Sequence, residues 1–186
     1  MRKLIIISGD LASGKSTLAN ELSIRHDIIH FTKDKFKESL CDIFSFTNRE
    51  ENRRLSVAAV EIMMQIFSEC AIIGNDLILE GNFREEELLV MKNIAEENDY
   101  QTCLIFLTGE THLLYERFLC RLTNRHPAHT SLHLEENFEK FAQYLNTFRM
   151  QDQIFTPHVI DMSDFSIDEV ADFADKILEE EGLFAL

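Results

Sequence analysis

The feature that most constrains this chain is a nine-residue segment near its start, Gly9-Asp10-Leu11-Ala12-Ser13-Gly14-Lys15-Ser16-Thr17, which follows the apolar run Leu4 to Ile7. A helical pattern, TLANELSIR, continues from it. Gly9, Gly14, Lys15 and Ser16 fit G-x-x-x-x-G-K-[ST], in the strand, loop, helix order the motif needs. Glycines let successive backbone N–H groups turn inward as an anion nest, and the helix N-terminus adds partial positive charge. Lys15 is placed to bridge β- and γ-phosphates and Ser16 to ligate Mg²⁺, so the segment predicts binding of ATP with Mg²⁺. Asp10 is the odd member. A carboxylate beside phosphate costs energy unless it points away or hydrogen-bonds back to the loop.

The rest of the chain predicts an α/β architecture. With 186 residues, 45% of them hydrophobic, only six Gly and two Pro, the sequence suits one continuous domain spanning 1–186 with no linker. Runs suited to buried parallel strands occur at Leu4 to Ile7, Asp27 to Phe31, Leu77 to Glu80, Thr102 to Leu107 and His158 to Ile160. Helical patterns separate them, which implies helices on both faces of a parallel sheet. The longest, Arg49 to Ile73, carries Leu55, Ala59, Ile62, Ile66 and Ile73 at helical spacing, with a Thr47/Glu50 capping box and Gly74 as its stop. Leu134, Phe138, Phe141, Leu145 and Phe148 form a second stripe, read as core. A third helix opens at Ser166/Glu169 and places Val170, Phe173, Ile177 and Leu178 inward.

Charge narrows the partners. Eighteen basic against 33 acidic residues give a net charge of -15, which disfavours nucleic-acid binding. The short N-terminal apolar run lacks the features of a signal peptide, and no stretch of transmembrane length is evident, so a cytoplasmic protein without membrane contact is expected. Cys41, Cys70, Cys103 and Cys120 are scattered and read as reduced thiols. The oligomeric state is left open.

A phosphoryl-transfer enzyme needs one carboxylate on the metal side and another to accept the proton of the attacking hydroxyl. Asp34, just past the second strand, is the candidate base, and Glu80, ending the third, is the candidate metal-side acid acting through the water shell of Mg²⁺. Arg117, Arg121 and Arg125 recur every four residues on one helical face, an arrangement that suits a lid over about 117–133 neutralising the transferring phosphoryl group. Arg49, Arg53 and Arg54 open the long helix and Arg84 follows the third strand; all four are placed to meet an anionic substrate. His126, His129 and His133 fit no standard zinc spacing and are read as polar lid contacts or as part of a hinge at Pro127.

The combination of the glycine loop, Thr32-Lys33-Asp34, Asn48-Arg49-Glu50, Glu80-Gly81-Asn82-Phe83-Arg84 and Arg125-His126-Pro127-Ala128-His129 resembles a group of bacterial P-loop kinases. That group is related to the kinase part of polynucleotide kinase, to zeta toxins and to chloramphenicol phosphotransferase. The resemblance covers nearly the whole chain. It implies a three-layer fold with a five-stranded parallel sheet and a helical lid, ATP with Mg²⁺, and phosphoryl transfer to the hydroxyl of a small molecule. Catalysis would fall to Lys15, Asp34, Arg117, Arg121 and Arg125, nucleotide binding to residues 9–17, metal binding to Ser16 and Glu80, and substrate binding to Asp34, Arg49, Arg53, Asn82 and Arg84. Two alternatives remain: a polynucleotide 5′-end kinase, and a non-catalytic ATP- or GTP-binding regulatory module. Asp161-Met162-Ser163 stands where the group shows Asp-Thr-Thr.

Overall fold

The computed structural model describes residues 2–129, 133–151 and 154–184. Five strands, β1 (Arg2–Gly9), β2 (Ile29–Thr32), β3 (Leu77–Glu80), β4 (Tyr100–Thr108) and β5 (Pro157–Asp161), form one sheet in the order β2-β3-β1-β4-β5. Every neighbouring pair is parallel. The helices are α1 (Lys15–His26), α2 (Lys33–Ile43), α3 (Arg49–Ile73), α4 (Glu85–Glu97), α5 (Thr111–Arg121), α6 (Phe138–Arg149) and α7 (Ile167–Glu180), with three short 3₁₀ turns between α5 and α6.

Strand β1 organises both layers. Leu4, Ile5, Ile6 and Ile7 are all fully buried. Successive strand side chains point to opposite faces, so Ile5 and Ile7 pack with Leu18 and Leu22 of α1 and Val170 and Ala174 of α7. Leu4 and Ile6 pack with Met63 and Phe67 of α3 and Leu88 and Met91 of α4. Both sheet faces are thus covered. A third cluster joins α5 and α6 through Leu114, Phe118, Phe141 and Leu145, and takes in Leu134 from the turn between them.

Several local expectations need correction. The second strand begins two residues later than its apolar run suggests, because Asp27, at φ 54°, ends α1 in the left-handed region. Helix α3 is capped by Asn48, which accepts from the Glu51 N–H at 2.9 Å. Glu51 in turn accepts from the Thr47 N–H at 2.7 Å, so the cap is Asn48 and the expected Thr47/Glu50 box does not form. The inward face of α3 is also rotated: Met63 and Phe67 are fully buried, whereas Ile62 is 36% and Ile73 74% exposed. Apolar residues occur all round this helix, and periodicity alone does not choose among them. The 25-residue helix α3 has the length and mean hydropathy, 1.6, of a membrane span, contrary to the sequence reading, yet one side of it lies in the core. In the second stripe only Phe141 and Leu145 of α6 are buried, with Leu134 in a 3₁₀ turn; Phe138 instead stacks on His112 at 4.0 Å. The Ser166/Glu169 box is present, but α7 turns Ala171 and Ala174 inward and leaves Phe173 52% exposed.

The rotation of α3 has a measurable consequence. Met63→Ala is expected to lower unfolding free energy by about 2–5 kcal/mol and Ile62→Ala by less than about 1 kcal/mol, as read from denaturant midpoints.

Candidate phosphoryl-transfer site

The strand ends on one edge of the sheet converge on the glycine loop. Gly9 adopts φ 135°, and a Cβ there would lie 2.1 Å from the Leu107 carbonyl oxygen on the neighbouring strand. No side chain fits at that position. Gly14, at φ 92°, caps α1 with no side-chain hydrogen bond, and the first turn of α1 carries no acid. The N-terminal N–H groups of α1 therefore have no competing anion of their own.

Lys15 is 9% exposed and donates its ammonium to the Asp10 carbonyl at 2.6 Å. Burial pushes its pKa down, while Glu80, Asp34 and Asp10 pull it back up. Ser16 donates to Glu80 Oε2 at 3.1 Å. Glu80 is 3% exposed at the end of β3, in register with Ile7 on one side and Thr32 on the other. Its carboxyl is pushed up by burial, and Lys15 opposes that shift.

Asp34 stands in the first turn of α2, directly after β2, with its side chain 63% exposed. Its charge helps hold Lys15 in the charged form and adds to the upward push on Glu80. Lys33 fixes this corner by donating to the Asn82 carbonyl at 2.9 Å and to Glu87 at 2.7 Å. Glu87 also accepts from the Arg84 N–H at 3.0 Å, so the starts of α2 and α4 are tied together. Thr32 Oγ1 and Asn82 Oδ1, both buried here, have no hydrogen-bond partner among the described residues.

The arginines divide. Arg121 acts electrostatically on Lys15 and Arg125, and Arg125 on Lys37. Arg125 lies 4.8 Å over the Phe118 ring, and burial pushes its pKa down while Asp34 pulls it up. Arg117 instead points its terminal nitrogens at the carbonyl of Met162, 3.4 Å away, a residue whose side chain lies beside Gly14. Arg84 and Asn82 lie near Tyr144, whose hydroxyl is raised chiefly by burial and also feels Arg125. Arg49 and Arg53 are exposed at the start of α3, and no contact joins them to Asp34 among the described residues.

The expected lid segment is docked rather than free. The Ala128 carbonyl accepts from Lys37 at 2.8 Å and from the buried Asn52 at 3.0 Å. His126 bonds Asp42 at 3.0 Å, and His129 bonds Glu38 at 2.9 Å while its other ring nitrogen stands 3.9 Å from Asp34. Residues 130–132 of that segment lie outside the described residues. His133, at φ 48°, is exposed near Glu135 and Glu136, well apart in role from the docked pair. Asn52→Ala is expected to cost about 1–3 kcal/mol in denaturant unfolding, and to speed proteolytic cleavage within 122–129.

Sequence reasoning missed Arg149, Lys37, Asn52 and Tyr144. Arg149, the last residue of α6, holds the Asp10 carboxylate with Nε at 3.0 and 2.9 Å and with a terminal nitrogen. Asp10 thus points away from the phosphate cradle. The one available hint was the unmatched carboxylate itself. An apolar cavity of about 180 Å³, lined by Leu88, Phe106, Phe148, Phe155, Val159 and the stem of Arg149, lies against β4 and β5, away from Lys15 and Asp34.

A five-stranded parallel sheet with this loop after β1, helices on both faces and strand-end carboxylates defines an α/β protein of the P-loop kinase fold. A family model described as an AAA domain matches residues 5–145, and the chain belongs to that family. Among solved structures, a candidate kinase from Chloroflexus aurantiacus superposes with TM-score 0.79 at 22% identity, over 94% of this chain and 97% of that one. Shikimate kinase from Aquifex aeolicus gives 0.59 at 19% identity, over 98% and 99%. A gluconokinase from Sinorhizobium meliloti gives 0.63 at 12% identity, over 97% of each chain. No curated protein matches the sequence.

Proposed function

We propose that the protein is an ATP-dependent kinase that transfers the γ-phosphoryl group to a hydroxyl of a small molecule, working as one unit over 1–186 in the cytoplasm. The observation that carries this reading is the buried Lys15 in the glycine loop, with Ser16 donating to Glu80 at 3.1 Å and Asp34 on the first turn of α2, directly after the strand that neighbours β3. A nucleotide-binding loop alone needs no such base. The structurally similar shikimate kinase and gluconokinase support a small-molecule acceptor, and the charge of -15 speaks against a polynucleotide.

Under this reading residues 9–17 wrap the phosphates, and Lys15 moves from the Asp10 carbonyl to the β- and γ-phosphate oxygens. The Ser16 hydroxyl beside the Glu80 carboxylate is an all-oxygen pair suited to hydrated Mg²⁺, with Glu80 acting through water. When bound, Mg²⁺ supplies charge neutralisation across the β- and γ-phosphates. Asp34 accepts the acceptor's hydroxyl proton as that oxygen attacks the γ-phosphorus. The bond to the β,γ-bridging oxygen breaks, and ADP leaves with its electron pair. Arg121 and Arg125 stabilise the charge on the transferring group, joined by Arg117 once it leaves the Met162 carbonyl. Asn82 and Arg84 contact the acceptor, and Arg49 and Arg53 reach it only if α3 or the docked segment shifts.

The test is transfer from γ-labelled ATP with Mg²⁺ to pooled sugars, nucleosides, nucleotide-sugars, aminoglycosides and oligonucleotides. Label in a small-molecule pool supports the reading. Label confined to oligonucleotides, with steep salt dependence, would replace it with end phosphorylation, and nucleotide binding without transfer to any pool would replace it with a regulatory module.

A further inference from the structure

Asp10 contributes two groups to the glycine loop, and the structure gives each a separate task. Its carbonyl accepts from Lys15 at 2.6 Å and from the Ser13 hydroxyl at 2.8 Å, so it is the resting acceptor for the lysine. Its carboxylate is fully buried and meets Arg149 and the Thr108 hydroxyl, the latter at 2.8 Å. Arg149 is itself anchored: it donates to the Gly109 carbonyl at 2.9 Å and to Thr111 Oγ1 at 3.4 Å. The two residues are 139 positions apart, and the guanidinium stands at the C-terminus of α6, the end of a helix that favours a cation.

We propose that Arg149 is a positioning residue for nucleotide binding, acting through Asp10. Two physical effects follow from the geometry. An uncompensated anion buried beside a loop built to attract phosphate would repel the incoming nucleotide even while pointing away from it, and Arg149 cancels that charge where solvent cannot. The same grip fixes the Asp10 side chain, and with it the carbonyl from which Lys15 is released to the phosphates. The clasp also ties the glycine loop to the last residue of α6. This inference rests on the reading of residues 9–17 as the nucleotide site.

The test is calorimetric binding of ATP, ADP and AMP to the wild type, Arg149→Met, Asp10→Asn and the double variant. Arg149→Met is expected to weaken ATP binding about 10- to 100-fold, with the loss shrinking from ATP to ADP to AMP as phosphate charge falls. Adding Asp10→Asn to Arg149→Met, which removes the uncompensated anion, is expected to restore most of the lost affinity. Arg149→Met weakening all three nucleotides equally, or leaving ATP binding unchanged, overturns the proposal. So does a double variant that binds ATP no better than Arg149→Met. If Arg149→Met fails to fold, the double variant, with no buried charge left, is compared directly with the wild type; a loss of ATP affinity beyond about ten-fold there overturns the electrostatic role. A wild type that does not bind ATP at all contradicts the reading of the loop itself, a different outcome from a wild type that binds ATP beside an unaffected variant.

Discussion

Lys15→Met is expected to reduce phosphoryl transfer by about 10²- to 10³-fold or more and to weaken ATP binding, measured by label transfer and by titration calorimetry on the same preparation. Lys15 supplies an ammonium inside the glycine loop, and its ammonium's hydrogen bond among the described residues, to the Asp10 carbonyl, is one that phosphate could replace. Its burial already disfavours the charged form, and Glu80 and Asp34 hold that form in place. The lysine and the two carboxylates are therefore one electrostatic unit. Removing the ammonium takes away the counter-charge that opposes the upward shift of Glu80, so that carboxyl moves further up and becomes a poorer partner for a hydrated cation. The variant thus loses on the phosphate side and on the metal side together. Wild-type transfer rates in Lys15→Met would remove the glycine loop from the chemistry.

Asp34→Asn is expected to leave ATP affinity within about two-fold and to lower kcat by about 10²- to 10⁴-fold, the usual contribution of a general base. The argument is positional. Asp34 is exposed on the first turn of α2, and among the described residues it makes no hydrogen bond to the glycine loop. Asparagine preserves the shape and the helix-start polarity but cannot accept the proton. A structural role for Asp34, as a carboxylate at a helix N-terminus, predicts instead a small loss of stability with unchanged turnover. Melting temperature and kcat measured on one preparation separate the two.

The fold was legible because its determinants are local. Four consecutive buried residues in β1, the loop glycines and the Ser166/Glu169 box each announce an element within a few positions. All five strands follow from such runs, with ends adjusted by one or two residues where a left-handed residue such as Asp27 intervenes. The inward face of α3 was not legible, because Ile62, Met63, Ile66 and Phe67 are all apolar and only the position of α4 and the sheet decides which are covered. The site divides in the same way. Lys15 and Ser16 open α1, Asp34 lies in the first turn of α2 and Glu80 ends β3, positions that the motif and the strand runs mark in the sequence. Arg149, Asn52 and Lys37 have no motif; their partners lie 139, 76 and 91 positions away, and only the folded chain pairs them. The histidines carry a similar lesson. His126 and His129, read from the sequence as polar contacts, find their partners in Asp42 and Glu38 on α2, which the sequence did not name.

The most direct measurement is acceptor-dependent formation of ADP from ATP and Mg²⁺, followed with the pooled acceptors in wild type and Asp34→Asn at matched nucleotide occupancy. The account predicts rapid ADP formation in the wild type with at least one small-molecule pool, lost in Asp34→Asn although ATP remains bound. Equal ADP formation in both proteins, or full occupancy by ATP with no acceptor-dependent turnover in either, would contradict it.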